Sequence, residues 1–229
     1  MNVAVLGTDT GVGKTIITAG LVGALRREGY DARAVKPAQT GYPPDDDAGT
    51  VAKICNESTA AHCCRYLDEP LAPAIAADRS DRQLSFDALF ADVTDALDSA
   101  AIGVLEGVGG VRVPVTAESE LLDLVSALEC PAIVVSRPAL GTLNHTALTV
   151  EALQRRAIPV LGVVLNQFTG DTVAERTNPD ALGSMIECPI STFPSVEQDA
   201  VIETTQTRLA STIDRILDHT PPAQVRTRE

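Results

Sequence analysis

The residues best suited to chemistry stand at the start of the chain, in Gly7-Thr8-Asp9-Thr10-Gly11-Val12-Gly13-Lys14-Thr15. Glycine at 7, 11 and 13 lets consecutive backbone N–H groups approach an anion more closely than a Cβ permits. Lys14 adds a point charge that reaches phosphate oxygens, and Thr15 adds a hydroxyl of the kind that ligates Mg²⁺. The apolar run Val3 to Leu6 reads as a buried strand and a helical pattern opens at Lys14, so the loop ends on the positive pole of a helix. That is a phosphate-binding loop, with Thr10, Gly11, Val12, Gly13, Lys14 and Thr15 as its nucleotide contacts. The common form has glycine where Thr8 stands; here the glycine is Gly7, and the loop is one residue longer.

Further along, Lys36-Pro37-Ala38-Gln39-Thr40-Gly41 follows a second strand, Ala32 to Val35. It sits at a strand's carboxyl end, the edge where open α/β sheets hold their ligands. Lys36 there can neutralise phosphate or carboxylate, and Thr40 offers a hydroxyl. Asp45, Asp46 and Asp47 precede a helix over Ala48 to Cys55; they suit either a helix cap or a contact to Mg²⁺. Ile102 to Gly110 repeats the opening logic as a strand carrying Glu106 and then glycines, a place where a carboxylate serves a metal ion. Gly141-Thr142-Leu143-Asn144-His145 opens a helix running to Arg156, whose first turn has free N–H groups for an anion. The strand Val160 to Leu165 ends at Asn166, whose carboxamide both donates and accepts, as a purine edge requires.

These sites need a scaffold that brings strand ends together. Strand, helix, strand at the start is a right-handed βαβ unit of a parallel sheet. The rest continues in that manner: a small-residue stretch from Leu71 to Ala77 that reads as a short buried helix or a pocket lining, an amphipathic helix from Ser85 to Leu97, a helix from Glu120 to Leu128 and a strand from Ala132 to Ser136. A helix is expected to begin at Asn178-Pro179-Asp180, a strand to span Cys188 to Phe193, and one closing helix to span Ser195 to Leu217. The expected architecture is α/β: one domain over 1–218, a mostly parallel sheet with helices on both faces, and a loose tail from His219 to Glu229.

Composition narrows the function. With 31 acidic residues against 18 basic ones, the net charge of −13 argues against nucleic acid or an anionic membrane as partner. No run is long and apolar enough to span a bilayer, and Met1 leads directly into the first strand without a signal peptide. The five cysteines lack CxxC spacing, which suits free thiols in a reducing cytoplasm; His62-Cys63-Cys64 lacks the second pair that a zinc site needs. Only Lys14, Lys36 and Lys53 are lysine. Sparse lysine with abundant aspartate suggests adaptation to high salt, and two of the three lysines fall in motifs.

Taken in order, the glycine loop, Lys36-Pro37, Leu71-Ala72-Pro73, Glu106-Gly107-Val108-Gly109-Gly110, Gly141 to His145 and Asn166 closely resemble the dethiobiotin synthetase family, a P-loop group, up to about residue 200. The resemblance implies an ATP-dependent ring closure in biotin synthesis, in which 7,8-diaminononanoate (diaminopelargonate) and CO₂ become a cyclic urea. It implies that Lys14, Lys36 and Thr40 act at the reacting groups, and that Thr15, Asp47 and Glu106 serve Mg²⁺. Asn166, Pro194 and Val196 meet adenine. Lys36, Thr40, Glu106, Gly109, Gly110, Leu143 and Asn144 hold the diamine, the last two across a homodimer interface. This chain has Thr40 where relatives often carry serine, and Ile190-Ser191-Thr192-Phe193-Pro194 where they more usually show Gly-x-Ile-Pro. Two alternatives share the loop. Cobyrinic acid amide synthetases add an amidase domain for which this chain is too short, and partitioning ATPases carry a lysine where Asp9-Thr10-Gly11 stands.

Overall fold

The computed structural model describes residues 1–218; the tail expected from His219 to Glu229 lies outside them. The strands are β1 (Asn2–Gly7), β2 (Ala32–Lys36), β3 (Gln39–Thr40), β4 (Ala61–Cys63), β5 (Tyr66–Leu67), β6 (Ile102–Gly110), β7 (Ala132–Ser136), β8 (Val160–Asn166) and β9 (Ile190–Phe193). Seven of them form a sheet in the order β4-β2-β6-β1-β7-β8-β9, every pair parallel. β1, carrying the glycine loop at its end, lies at the centre. β6 pairs with it so that Glu106 stands opposite Val5. The strands β3 and β5 form a separate two-stranded parallel sheet above that edge.

The helices are α1 (Lys14–Arg27), α2 (Asp47–Cys55), α3 (Pro73–Arg79), α4 (Phe86–Asp98), α5 (Leu121–Ala127), α6 (Thr142–Arg155), α7 (Val173–Met185), α8 (Val201–Arg208) and α9 (Ala210–Asp218). Successive strand residues face opposite sides of the sheet. In β1, Val3 and Val5 join one core with α1, α2, α8 and α9, while Ala4 and Leu6 join the other with α4, α5, α6 and α7. Both faces being covered is why the central strands read as unbroken apolar runs. The expected α/β architecture with helices on both faces is the observed one.

Two expected elements differ. Helix α7 starts at Val173, with the Thr172 hydroxyl accepting from Glu175 N–H at 3.1 Å, and Pro179 lies inside it. Thr172-x-x-Glu175 is a start signal of the capping type. Proline lacks the N–H of an interior helical residue, which is why Asn178-Pro179 reads as a helix start in sequence. The single closing helix is instead a short 3₁₀ turn over 198–200 followed by α8 and α9, interrupted at the fully buried Leu209. The break lets α8 pack on α1 and α9 on β8, two partners that one straight apolar stripe cannot serve. The small β3/β5 sheet was not anticipated, because strands of two residues carry no periodicity to detect.

Candidate active site

The carboxyl ends of β1, β2 and β6 open into a cleft of about 710 Å³ that holds the glycine loop, Lys36, Thr40, Asp47, Glu106 and Gly109. Gly7 ends β1, and a Cβ there falls 2.8 Å from the Asp9 carbonyl oxygen and 2.9 Å from Lys14 Nζ. Glycine at 7 is therefore demanded by the return of the loop over its own strand. Gly13 has φ +96°, and its Cβ position lies 1.9 Å from Asn166 Nδ2. Asn166, 3% exposed at the end of β8, is packed behind the loop, where its amide donates to the Val12 carbonyl at 2.9 Å.

Lys14 is buried to 7% exposure and donates to the carbonyls of Asp9 at 3.0 Å and Gly109 at 2.8 Å. Burial, then repulsion from Lys36, lower its pKa to about 8. Lys36, at 5% exposure, has a different setting: it donates to Glu106 Oε1 at 2.9 Å and to the Gly107 carbonyl at 3.1 Å, and pairs with Asp47 Oδ2 at 2.5 Å. Burial works against its charge, but the two carboxylates prevail and its pKa is raised. Asp47 is likewise opposed by burial and held low by the Lys36 ammonium. Burial wins at Glu106, which is pushed up.

The Thr15 hydroxyl lies 2.9 Å from Asp47 Oδ1 and 2.8 Å from Glu106 Oε1. One hydroxyl brings one proton, so two carboxylates cannot both accept from it. The Lys36 ammonium already pairs with both carboxylates, and Thr15, Asp47 and Glu106 are hard oxygen donors of the class that could also hold Mg²⁺. Among the described residues no three His, Cys, Asp or Glu side chains gather closely enough to hold a metal unaided. A cation at this place needs further oxygens from phosphate or water. All three consecutive aspartates line the cleft, but Asp46 caps α2 by accepting from Gly49 N–H at 2.8 Å, Asp45 is exposed, and it is Asp47 that meets Thr15 and Lys36.

The cleft thus gathers Lys14, Thr15, Lys36, Thr40, Asp47, Glu106 and Gly109, together with Thr10, Gly11 and Gly13 of the loop. The buried Val12 faces inward from the loop. Gly110 lines a neighbouring groove of about 770 Å³ that shares Val113 with the cleft. Pro194 and Val196 follow β9, outside the cleft, with Val196 packed against the α1 core. Leu143 and Asn144 lie in the first turn of α6 and line neither cavity; Leu143 is half-buried and Asn144 exposed. Sequence reasoning passed over Gln39, which bonds Asp47 N–H, and Arg137, whose guanidinium donates to the loop carbonyls of Gly11 at 3.2 Å and Thr10 at 3.4 Å. The position of Arg137, directly after β7 at the ligand edge, was the signal available for it.

The chain has the fold of P-loop ATPases. Over 96% of its length it superposes on a ParA family ATPase from Chlorobium tepidum with a TM-score of 0.58 at 15% identity, covering 93% of that chain. Over 94% it superposes on the septum site-determining protein MinD from Pyrococcus horikoshii with a TM-score of 0.57 at 16% identity, covering 96% of that chain. A family model described as an AAA domain matches residues 1–223. The chain belongs to the dethiobiotin synthetase family. It is 57% identical over 202 residues, 86% of its length and 87% of the relative, to the ATP-dependent dethiobiotin synthetase of Haloferax mediterranei. To the enzyme of the same name from Mycobacteroides abscessus it is 41% identical over 189 residues, covering 81% and 83% of the two chains.

Proposed function

We propose that this chain is an ATP-dependent dethiobiotin synthetase, a cyclo-ligase that closes the ureido ring of dethiobiotin from 7,8-diaminononanoate and CO₂ while ATP becomes ADP and phosphate. The observation that carries the reading is the convergence of Lys14, Thr15, Lys36, Asp47 and Glu106 in one cleft of a member of that family.

One amine of the substrate adds to CO₂ and loses a proton, giving a carbamate. The carbamate oxygen takes the γ-phosphoryl group as ADP leaves, forming a carbamic-phosphoric anhydride. The second amine then attacks the carbonyl and expels phosphate, closing the ring. Each step needs positioning and charge neutralisation rather than a nucleophilic side chain. Lys14 binds the phosphate chain from the loop, and Lys36 faces the carbamate and the transferred group, with Thr40 bonding the carbamate or the diamine. Glu106, Gly109 and Gly110 border the diamine. Thr15, Asp47 and Glu106 would hold Mg²⁺, which would supply charge neutralisation at the phosphates. Asn166, with the segment containing Pro194 and Val196, borders the base.

Leu143 and Asn144 line neither the cleft nor the neighbouring groove, while Leu140 and Leu148 nearby are 93% and 56% exposed. A homodimer, in which the first turn of α6 from one copy reaches the diamine in the other, accounts for both facts. No helix among the described residues is long and apolar enough to cross a membrane. A cytoplasmic enzyme adapted to high salt fits the thiols and the acidic, lysine-poor composition.

The test combines purified protein, MgATP, bicarbonate and 7,8-diaminononanoate in concentrated potassium chloride, following phosphate release and the mass of the organic product. Diamine-dependent phosphate with a cyclic urea supports the reading; ATP turnover indifferent to the diamine refutes it.

A further inference from the structure

We infer that Gln39 is a positioning residue that sets Asp47 in the carboxylate cluster and so tunes the affinity of the cleft for its cation. The inference rests on Asp47 serving Mg²⁺. Gln39 lies in β3 at 6% exposure. Its Oε1 accepts from Asp47 N–H at 3.0 Å and its Nε2 donates to the Thr40 carbonyl at 2.9 Å.

The first N–H groups of a helix have no partner within it. In α2 the Asp46 carboxylate takes Gly49 N–H, which leaves Asp47 N–H to an outside acceptor, and Gln39 supplies it. The backbone of Gln39 is itself anchored, donating to the Arg65 carbonyl at 2.8 Å within the β3/β5 sheet. Between β3 and α2 the chain runs through Tyr42, Pro43, Pro44 and Asp45, all exposed. Across that exposed loop, the Gln39 carboxamide ties the start of α2 to the anchored strand. Asp47 then reaches Thr15 and Lys36 with its carboxylate while Gln39 holds its backbone.

The two bonds require one planar group that accepts on one side and donates on the other. Glutamine does both; glutamate keeps the acceptor only, and methionine matches the shape with neither. Partners one step removed from a metal ligand typically change metal affinity by about 10-fold to 100-fold when lost.

The experiment uses the full chain with Gln39→Met, Gln39→Glu and Asp47→Asn. Calorimetry measures the affinity for a non-hydrolysable ATP analogue with and without Mg²⁺, and amide hydrogen exchange is read at Asp47 in metal-free protein. For Gln39→Met we expect metal-free nucleotide affinity within about twofold of the parent, a roughly tenfold smaller gain from Mg²⁺, and faster exchange at Asp47. Gln39→Glu keeps that amide protected, since its acceptor remains. A full Mg²⁺ gain in Gln39→Met alongside a lost gain in Asp47→Asn overturns the role of Gln39 and leaves Asp47 as a metal ligand. A full gain in Asp47→Asn overturns the metal reading itself. Equal loss of affinity with and without Mg²⁺ in Gln39→Met reports general damage to the cleft and also overturns the inference.

Discussion

Lys14 and Lys36 are sealed at the same edge of one sheet, yet the glycine loop and the end of β2 treat them in opposite ways. The loop gives Lys14 two backbone carbonyls and no carboxylate partner, so its charge is opposed by burial and its pKa falls to about 8. The end of β2 gives Lys36 two carboxylates, and its pKa rises. The first lysine is left short of negative charge, which under the proposed function a phosphate chain would provide. The second already has its counter-charge and in turn keeps the buried Glu106, beside the partly exposed Asp47, tolerable in its place. One residue type thus sits unpaired by carboxylate in one region and doubly paired in the other.

Removing each lysine tests that contrast most directly. Lys14→Ala should reduce product formation on the order of 10²- to 10³-fold, as loss of a donor to developing charge does, while the thermal midpoint of the empty protein stays level or rises. A marked fall in that midpoint would erase the distinction. Lys36→Ala should lose turnover comparably and also destabilise the empty protein by about 3–5 kcal/mol, because it strands the buried Glu106 carboxylate. Adding Glu106→Gln to that variant should recover much of the stability and none of the activity. Urea titrations of the single and double variants read this out, and no recovery would mean that the ion pair is not what holds Lys36.

A smaller effect concerns pH. Below about 8 Lys14 is already charged, so nucleotide binding takes up no proton there; above it, binding must restore the proton. Affinity for ATP should therefore fall by up to about tenfold per pH unit above 8. Calorimetry at pH 9 in buffers of different ionisation enthalpy should show proton uptake, and Lys14→Ala should not. The sign for folding is the reverse. Because the unfolded lysine keeps its proton up to about 10.5, the empty protein gains stability from this group as pH rises from 8 toward 10.5. The smallest effect is expected at Asn166, whose bond to the Val12 carbonyl braces the loop from behind. Asn166→Ala should cost about 1–2 kcal/mol of stability and loosen nucleotide binding, measured by analogue titration.

Much of this was legible in the chain because local rules sufficed. The glycine loop declares itself through residue types that only a close backbone approach requires, and β1, β6 and β7 through apolar runs bounded by turns. Lys36 and Glu106 were legible as ligand-edge residues because parallel sheets place strand ends on one side. Among three identical aspartates, only the adjoining Ala48 sets Asp47 apart in the sequence. The fold separates them by their contacts, giving Asp46 to the helix cap and Asp47 to Thr15 and Lys36. Pro179 misled because a local rule about proline met a helix already started by Thr172.

Sequence by itself determined the chemistry available: two lysines, a threonine and two carboxylates in strands or in the helix starts that follow them, in a chain with little other lysine. Tertiary structure alone decided which groups share charge. That Lys36 closes on Glu106, 70 residues away, and leaves Lys14 to carbonyl oxygens is a consequence of β2 and β1 pairing on either side of β6, not of any spacing along the chain. Local residue preferences act over a few positions, whereas burial and charge pairing depend on distances that only the assembled sheet sets.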